Sequence, residues 1–73
     1  MPNDTSYDVR TEMLEALISK VGTERFPSST TLDIIESLLS PEDVPVYAEV
    51  LLEHVRSENF PSVSMMRRIQ RLA

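Results

Sequence analysis

Three arginines near the C-terminus are the residues of this sequence best suited to binding chemistry. Arg67, Arg68 and Arg71 lie at helical spacing after Phe60, in a segment without an acidic residue, whereas residues 1–60 hold twelve acids and four bases. Guanidinium groups pair with carboxylates through charge-assisted hydrogen bonds. The segment is therefore predicted to bind an acidic partner.

Two adjacent methionines begin this basic segment. Met65 and Met66 cannot both point at the core from a helix with one apolar face, and methionine suits surfaces that accept partners. Beside Arg68, one of them would form an interface with an apolar centre and a basic rim. Filling a gap in a small core is the alternative. We assign Met65 to the predicted interface.

Residues that perform catalysis or hold a metal are scarce. His54 is the only histidine and there is no cysteine, so the chain lacks the usual ligands of a zinc site. Glu49 and Glu53 share one helix face, where like charges are common without a catalytic role. The single glycine excludes a glycine-rich phosphate loop. The sequence predicts a protein that is not an enzyme and uses no cofactor or metal.

The elements that position these residues are predicted to be helices. Apolar residues recur at intervals of three to four in four segments, and no alternating strand pattern occurs. Serine, threonine and proline stand before the later segments, as is typical of helix starts. The predicted fold is all-α, a small four-helix domain of two hairpins at about 8–39 and 41–73, with residues 1–7 as a flexible tail.

The two hairpins resemble each other in sequence. Residues 14–39 align with residues 48–73 without a gap, and both contain a Phe-Pro-Ser turn, at Phe26 and at Phe60. This predicts an internal repeat related by a pseudo-twofold or a superhelical step; convergence on the same turn chemistry is the alternative. Both phenylalanines are expected to anchor their turns, so that alanine at either position costs about 3 kcal/mol.

The short second helices of the two hairpins differ in charge. Asp33 corresponds to Arg67, and Glu36 corresponds to Gln70, so one face is acidic and its counterpart basic. Complementary faces at related positions predict self-association, head-to-tail or as a homodimer. The alternative is that the arginines only complement the dipole of a helix C-terminus. Asp33 and Glu36 join the arginines as candidate binding residues.

Charge and hydropathy limit the function classes. The net charge of −5 disfavours nucleic acid and anionic membranes, because the field of the protein repels polyanions. No run of 18 apolar residues occurs, and the N-terminus lacks a basic flank followed by an apolar stretch. We expect a cytoplasmic protein that binds no membrane.

Two main hypotheses about function follow. The first is a small, self-associating interaction module, an adaptor, inhibitor or regulator, that binds a protein through its basic C-terminal helix. The second is a transcriptional regulator, because residues 61–73 resemble the recognition helix of helix-turn-helix proteins, with hydroxyl residues before arginines. The Phe-Pro turn, the acidic first hairpin and the negative body depart from that family. If the charged faces polymerise, the chain is instead an assembly component.

Overall fold

Four α-helices and one short 3₁₀ turn make up residues 8–73, the part of the chain that the computed structural model describes. The elements are α1 (Val9–Thr23), α2 (Ser29–Leu38), the 3₁₀ turn (Pro41–Asp43), α3 (Val44–Ser57) and α4 (Val63–Leu72). These residues contain no strand, which confirms the all-α prediction. The flexible tail predicted for residues 1–7 lies outside the described residues. Within residues 8–73, no helix is long and apolar enough to cross a membrane.

Serine caps begin both short helices. The Ser28 hydroxyl accepts a hydrogen bond from the backbone N–H of Thr31 at 3.0 Å, and the Ser62 hydroxyl accepts one from Met65 at 3.2 Å. Each bond satisfies a donor that the first turn of a helix leaves unpaired. The chain therefore turns from a long helix into a short one by the same local chemistry in both hairpins.

The connection between the hairpins is set by two prolines. Pro41 begins the 3₁₀ turn, which is closed when the Ser40 backbone N–H and hydroxyl donate to the Asp43 carboxylate at 3.0 and 2.7 Å. Those hydrogen bonds lower the pKa of Asp43 below its ordinary value. Pro45 is the second residue of α3, where its missing N–H costs no helical hydrogen bond. The two prolines thus mark where the 3₁₀ turn and α3 begin, and α3 follows the turn directly at Val44.

The apolar core lies between α1, α2 and α3. Its buried side chains are Leu14, Ile18, Val21, Leu32, Ile35, Tyr47 and Leu51. The apolar side chains that α4 contributes are only partly buried: Met65, Ile69 and Leu72. The fourth helix therefore covers the edge of the core without entering it.

The two hairpins lie side by side. Helix α1 packs on α2 and α3, and α3 packs on α4, whereas no Cα of α4 comes within 8 Å of a Cα of α2. Polar contacts join residues 33 positions apart, namely Arg10 with Asp43, the Val21 carbonyl with His54, and Arg25 with Glu58. Because these contacts run along the whole of α1, α3 lies parallel to it. Parallel α1 and α3 are compatible with both relations predicted between the hairpins, a superhelical step and a pseudo-twofold axis that runs along the helices.

The helix bounds of the two hairpins correspond. Helices α2 and α4 begin and end 34 positions apart, and α1 and α3 end 34 positions apart. The residues that follow the long helices have similar backbone angles, φ −89° and ψ 135° at Glu24, φ −104° and ψ 136° at Glu58. The origin of this correspondence in an internal repeat stays a prediction.

Candidate functional site

Four of the six predicted binding residues meet in one ion-pair network between α2 and α4, namely Asp33, Glu36, Arg68 and Arg71. Arg68 is only 8% exposed, and its Nη1 lies 2.8 Å from Glu36 Oε2 and 2.9 Å from Asp33 Oδ1. Arg71 Nη2 lies 3.6 Å from Glu36 Oε1. The acidic face of α2 and the basic face of α4 therefore pair with each other within a single chain.

Tyr47 joins this network from α3. Its hydroxyl donates a hydrogen bond to Glu36 Oε2 at 2.7 Å, and its side chain is buried. Burial raises the pKa of Glu36, but the hydrogen bonds from Tyr47 and Arg68 outweigh it, so this pKa lies below its ordinary value. Burial, followed by the neighbouring Glu36 carboxylate, raises the pKa of Tyr47 well above its ordinary value. Glu36 is thus held as a carboxylate and Tyr47 as a donor.

The expected position of Arg68 on an outer face is not observed. The side chain fills the gap between α2 and α4, where the backbones do not meet. A signal for this was present in the sequence, because Arg68 falls between Met65 and Leu72 on the apolar side of α4. Arg67 and Arg71 are exposed, and Met65 is half-buried against the core. Their role in partner binding stays a prediction.

The two turn phenylalanines face solvent. Phe26 is 77% exposed and Phe60 is 93% exposed, so the expectation that they anchor their turns is wrong. The serine caps and the prolines fix the turn backbone without an aromatic anchor. The guanidinium of Arg25 lies 5.1 Å from the centre of the Phe26 ring. Exposed apolar side chains grouped on a surface are the kind of feature that marks an interaction site.

A cleft of about 240 Å³ opens between the two turns. The apolar side chains that line it come from both turns and from α2, α3 and α4: Phe26, Phe60, Leu32, Val55, Met65 and the turn prolines. Because the hairpins lie side by side, their turns meet at the same end of the molecule. We call this the turn cleft; Met65 is the one predicted binding residue that lines it.

A second cleft of about 440 Å³ adjoins the turn cleft and shares Arg25, His54 and Glu58 with it. Arg25 Nε lies 3.1 Å from Glu58 Oε2, so an ion pair stands where the two clefts meet. The lining of the second cleft also includes Glu24 and Glu53. We call it the acidic cleft, since three carboxylates face one guanidinium there.

His54 has a structural role beside both clefts. Its Nε2 donates a hydrogen bond to the Val21 carbonyl at 2.8 Å, which ties the end of α3 to the end of α1. In the part of the chain that the structure describes, no three histidine, aspartate or glutamate side chains are grouped to hold a metal ion.

Comparison of the chain with protein-family models, with curated proteins and with solved structures found no match in any of the three.

Proposed function

We propose that this chain is a non-enzymatic protein-interaction module that binds a segment of a partner protein in the turn cleft. The observation that carries the proposal is the exposure of Phe26 and Phe60 beside an apolar cleft. Covering an exposed phenylalanine stabilises a complex by roughly 1.5–3 kcal/mol. Two rings and Met65 thus supply an apolar centre for binding, as the aromatic residues and methionine enriched in interfaces do.

The proposal changes the surface expected from the sequence. Arg68 pairs with Asp33 and Glu36 inside the molecule, so the basic helix contributes Met65 to the turn cleft rather than a row of three arginines. Nucleic-acid binding is less well supported for the same reason, because α4 keeps only Arg67 and Arg71 on its outer side. A second copy of the chain remains one of the protein partners to be tested.

Affinity capture with a surface variant tests the proposal. Wild type and the Phe26→Ser, Phe60→Ser double variant are used to capture proteins from a lysate with and without nuclease treatment. The Arg67→Ser, Arg71→Ser double variant is the matched control. We expect a protein retained by the wild type and by the arginine variant but lost with the phenylalanine variant. Loss only with the arginine variant would instead place the interface on the outer face of α4. Loss of all captured protein on nuclease treatment would favour the nucleic-acid hypothesis.

Sedimentation velocity of the same proteins tests self-association. If the turn cleft accepts a second copy, the wild type sediments as a dimer and the phenylalanine variant as a monomer. A dimer that persists in the phenylalanine variant but not in the arginine variant would contradict the proposed surface.

A further inference from the structure

We infer that the segment bound by this module carries an apolar side chain followed or preceded closely by a basic residue. The inference rests on the proposed function, since it assigns the apolar side chain to the turn cleft. It adds a second contact, a lysine or arginine of the partner in the acidic cleft. Neighbouring positions in the partner are required because the two clefts adjoin at the Arg25–Glu58 pair.

The charge of the acidic cleft is not neutralised by the chain itself. Arg25 is paired with Glu58 at 3.1 Å. Arg56 Nη1 lies 2.7 Å from both Glu49 and Glu53, so two carboxylates share one guanidinium. Glu24 forms no ion pair within residues 8–73. Of the three carboxylates that line this cleft, Glu24 thus has no ion pair and Glu53 shares its cation with Glu49, and a partner cation complements them.

The long-range field acts in the same direction. The chain carries a net charge of −5, and Arg67, the exposed arginine without an ion pair in residues 8–73, lies on α4 rather than beside the acidic cleft. A negative surface speeds the approach of a basic segment and slows that of an acidic one. Phosphorylated or acidic segments are accordingly excluded as occupants of the acidic cleft, whereas a basic one is attracted before the apolar side chain docks.

The experiment selects peptides from a random library displayed on phage, using immobilised wild-type protein. Two double variants are compared with it. One carries Phe26→Ser with Phe60→Ser, and the other carries Glu24→Gln with Glu53→Gln. We expect the wild type to enrich sequences with an aromatic or large aliphatic residue within two positions of lysine or arginine. The glutamine variant is expected to enrich the apolar residue without the basic one.

A synthetic copy of the most enriched peptide then provides a measured affinity. Its dissociation constant is expected to rise about fivefold on Glu24→Gln, Glu53→Gln, with a weaker dependence on salt, because exposed charge pairs contribute modestly. Equal basic content in the peptides selected by the wild type and by the glutamine variant would overturn the inference and leave the proposed function standing. Equal enrichment by wild type and phenylalanine variant would overturn both.

Discussion

Arg68 Nη1 and Glu36 Oε2 lie 2.8 Å apart and join α4 to α2 across a gap that no backbone contact closes. Arg68 is nearly enclosed and Glu36 is half-buried, and Tyr47 gives the same carboxylate oxygen a second hydrogen bond. Buried ion pairs add little net stability compared with apolar packing, but removing one partner leaves the other charge uncompensated. The position of α4 therefore depends in part on this ion pair, because loss of either charge leaves the other uncompensated.

Replacing Arg68 with methionine removes this contact while keeping a long side chain. We expect Arg68→Met to lower the free energy of unfolding by about 2 kcal/mol, because Glu36 then keeps only the more distant and exposed Arg71 as a counter-ion. Arg67→Met, on the exposed side of the same helix, is the matched control and should stay within about 0.5 kcal/mol of the wild type. Urea denaturation followed by circular dichroism measures both. Equal small losses would mean that the ion pair is not structural.

The lowered pKa of Glu36 makes stability depend on pH. A carboxyl whose folded pKa lies below its unfolded value of 4.5 contributes fully above that value and loses its contribution as the pH falls through the folded pKa. We expect the free energy of unfolding to fall on acidification below about pH 5, and to fall less steeply in Glu36→Gln. Asp8 and Asp43, whose pKa values are also lowered, titrate in both proteins. Parallel curves from denaturant melts at several pH values would exclude a role for Glu36.

The exposed phenylalanines should matter for binding and not for folding. Phe26→Ser and Phe60→Ser are each expected to change the free energy of unfolding by less than about 0.5 kcal/mol, because neither ring is packed. Leu51→Ala, which removes a fully buried side chain of α3, should cost about 3 kcal/mol. Thermal unfolding compares the three variants. A large loss at either phenylalanine would show that its turn needs the ring after all.

The two serine caps should contribute similar amounts to the free energy of unfolding. Ser28→Ala and Ser62→Ala each remove one side-chain acceptor from a helix start, and each is expected to cost about 1 kcal/mol. Thr30→Ala, at the second residue of α2, is the control. It should have a much smaller effect on the free energy of unfolding, because Thr30 is exposed and is not the capping residue. Guanidinium denaturation gives the three values. If either serine substitution left the free energy of unfolding unchanged, water would satisfy the backbone N–H at that helix start instead of the serine.

Local sequence signals were enough to predict the helices. The distances between helices could not be predicted from the sequence, and neither could the side-chain positions that depend on them. Caps such as Ser28 and Ser62 act within four residues, so they can be recognised directly in the sequence. The inward direction of Arg68 depends on the width of the gap between α2 and α4 and on acids more than 30 positions away. The exposure of Phe60 depends on where the two turns meet. Both are properties of packing between hairpins.

The peripheral position of α4 has a consequence for how the molecule opens. Helix α4 contributes no fully buried apolar side chain and packs on the core only through partly buried ones, so we expect its detachment to cost less than that of α1, α2 or α3. Its amide hydrogens should then exchange with solvent by sub-global opening, ahead of those of α1 and α3. Because detachment separates Arg68 from Glu36, protonation of that carboxyl favours it. Among the four helices of residues 8–73, α4 is therefore the one that we expect acid or a protease to release first.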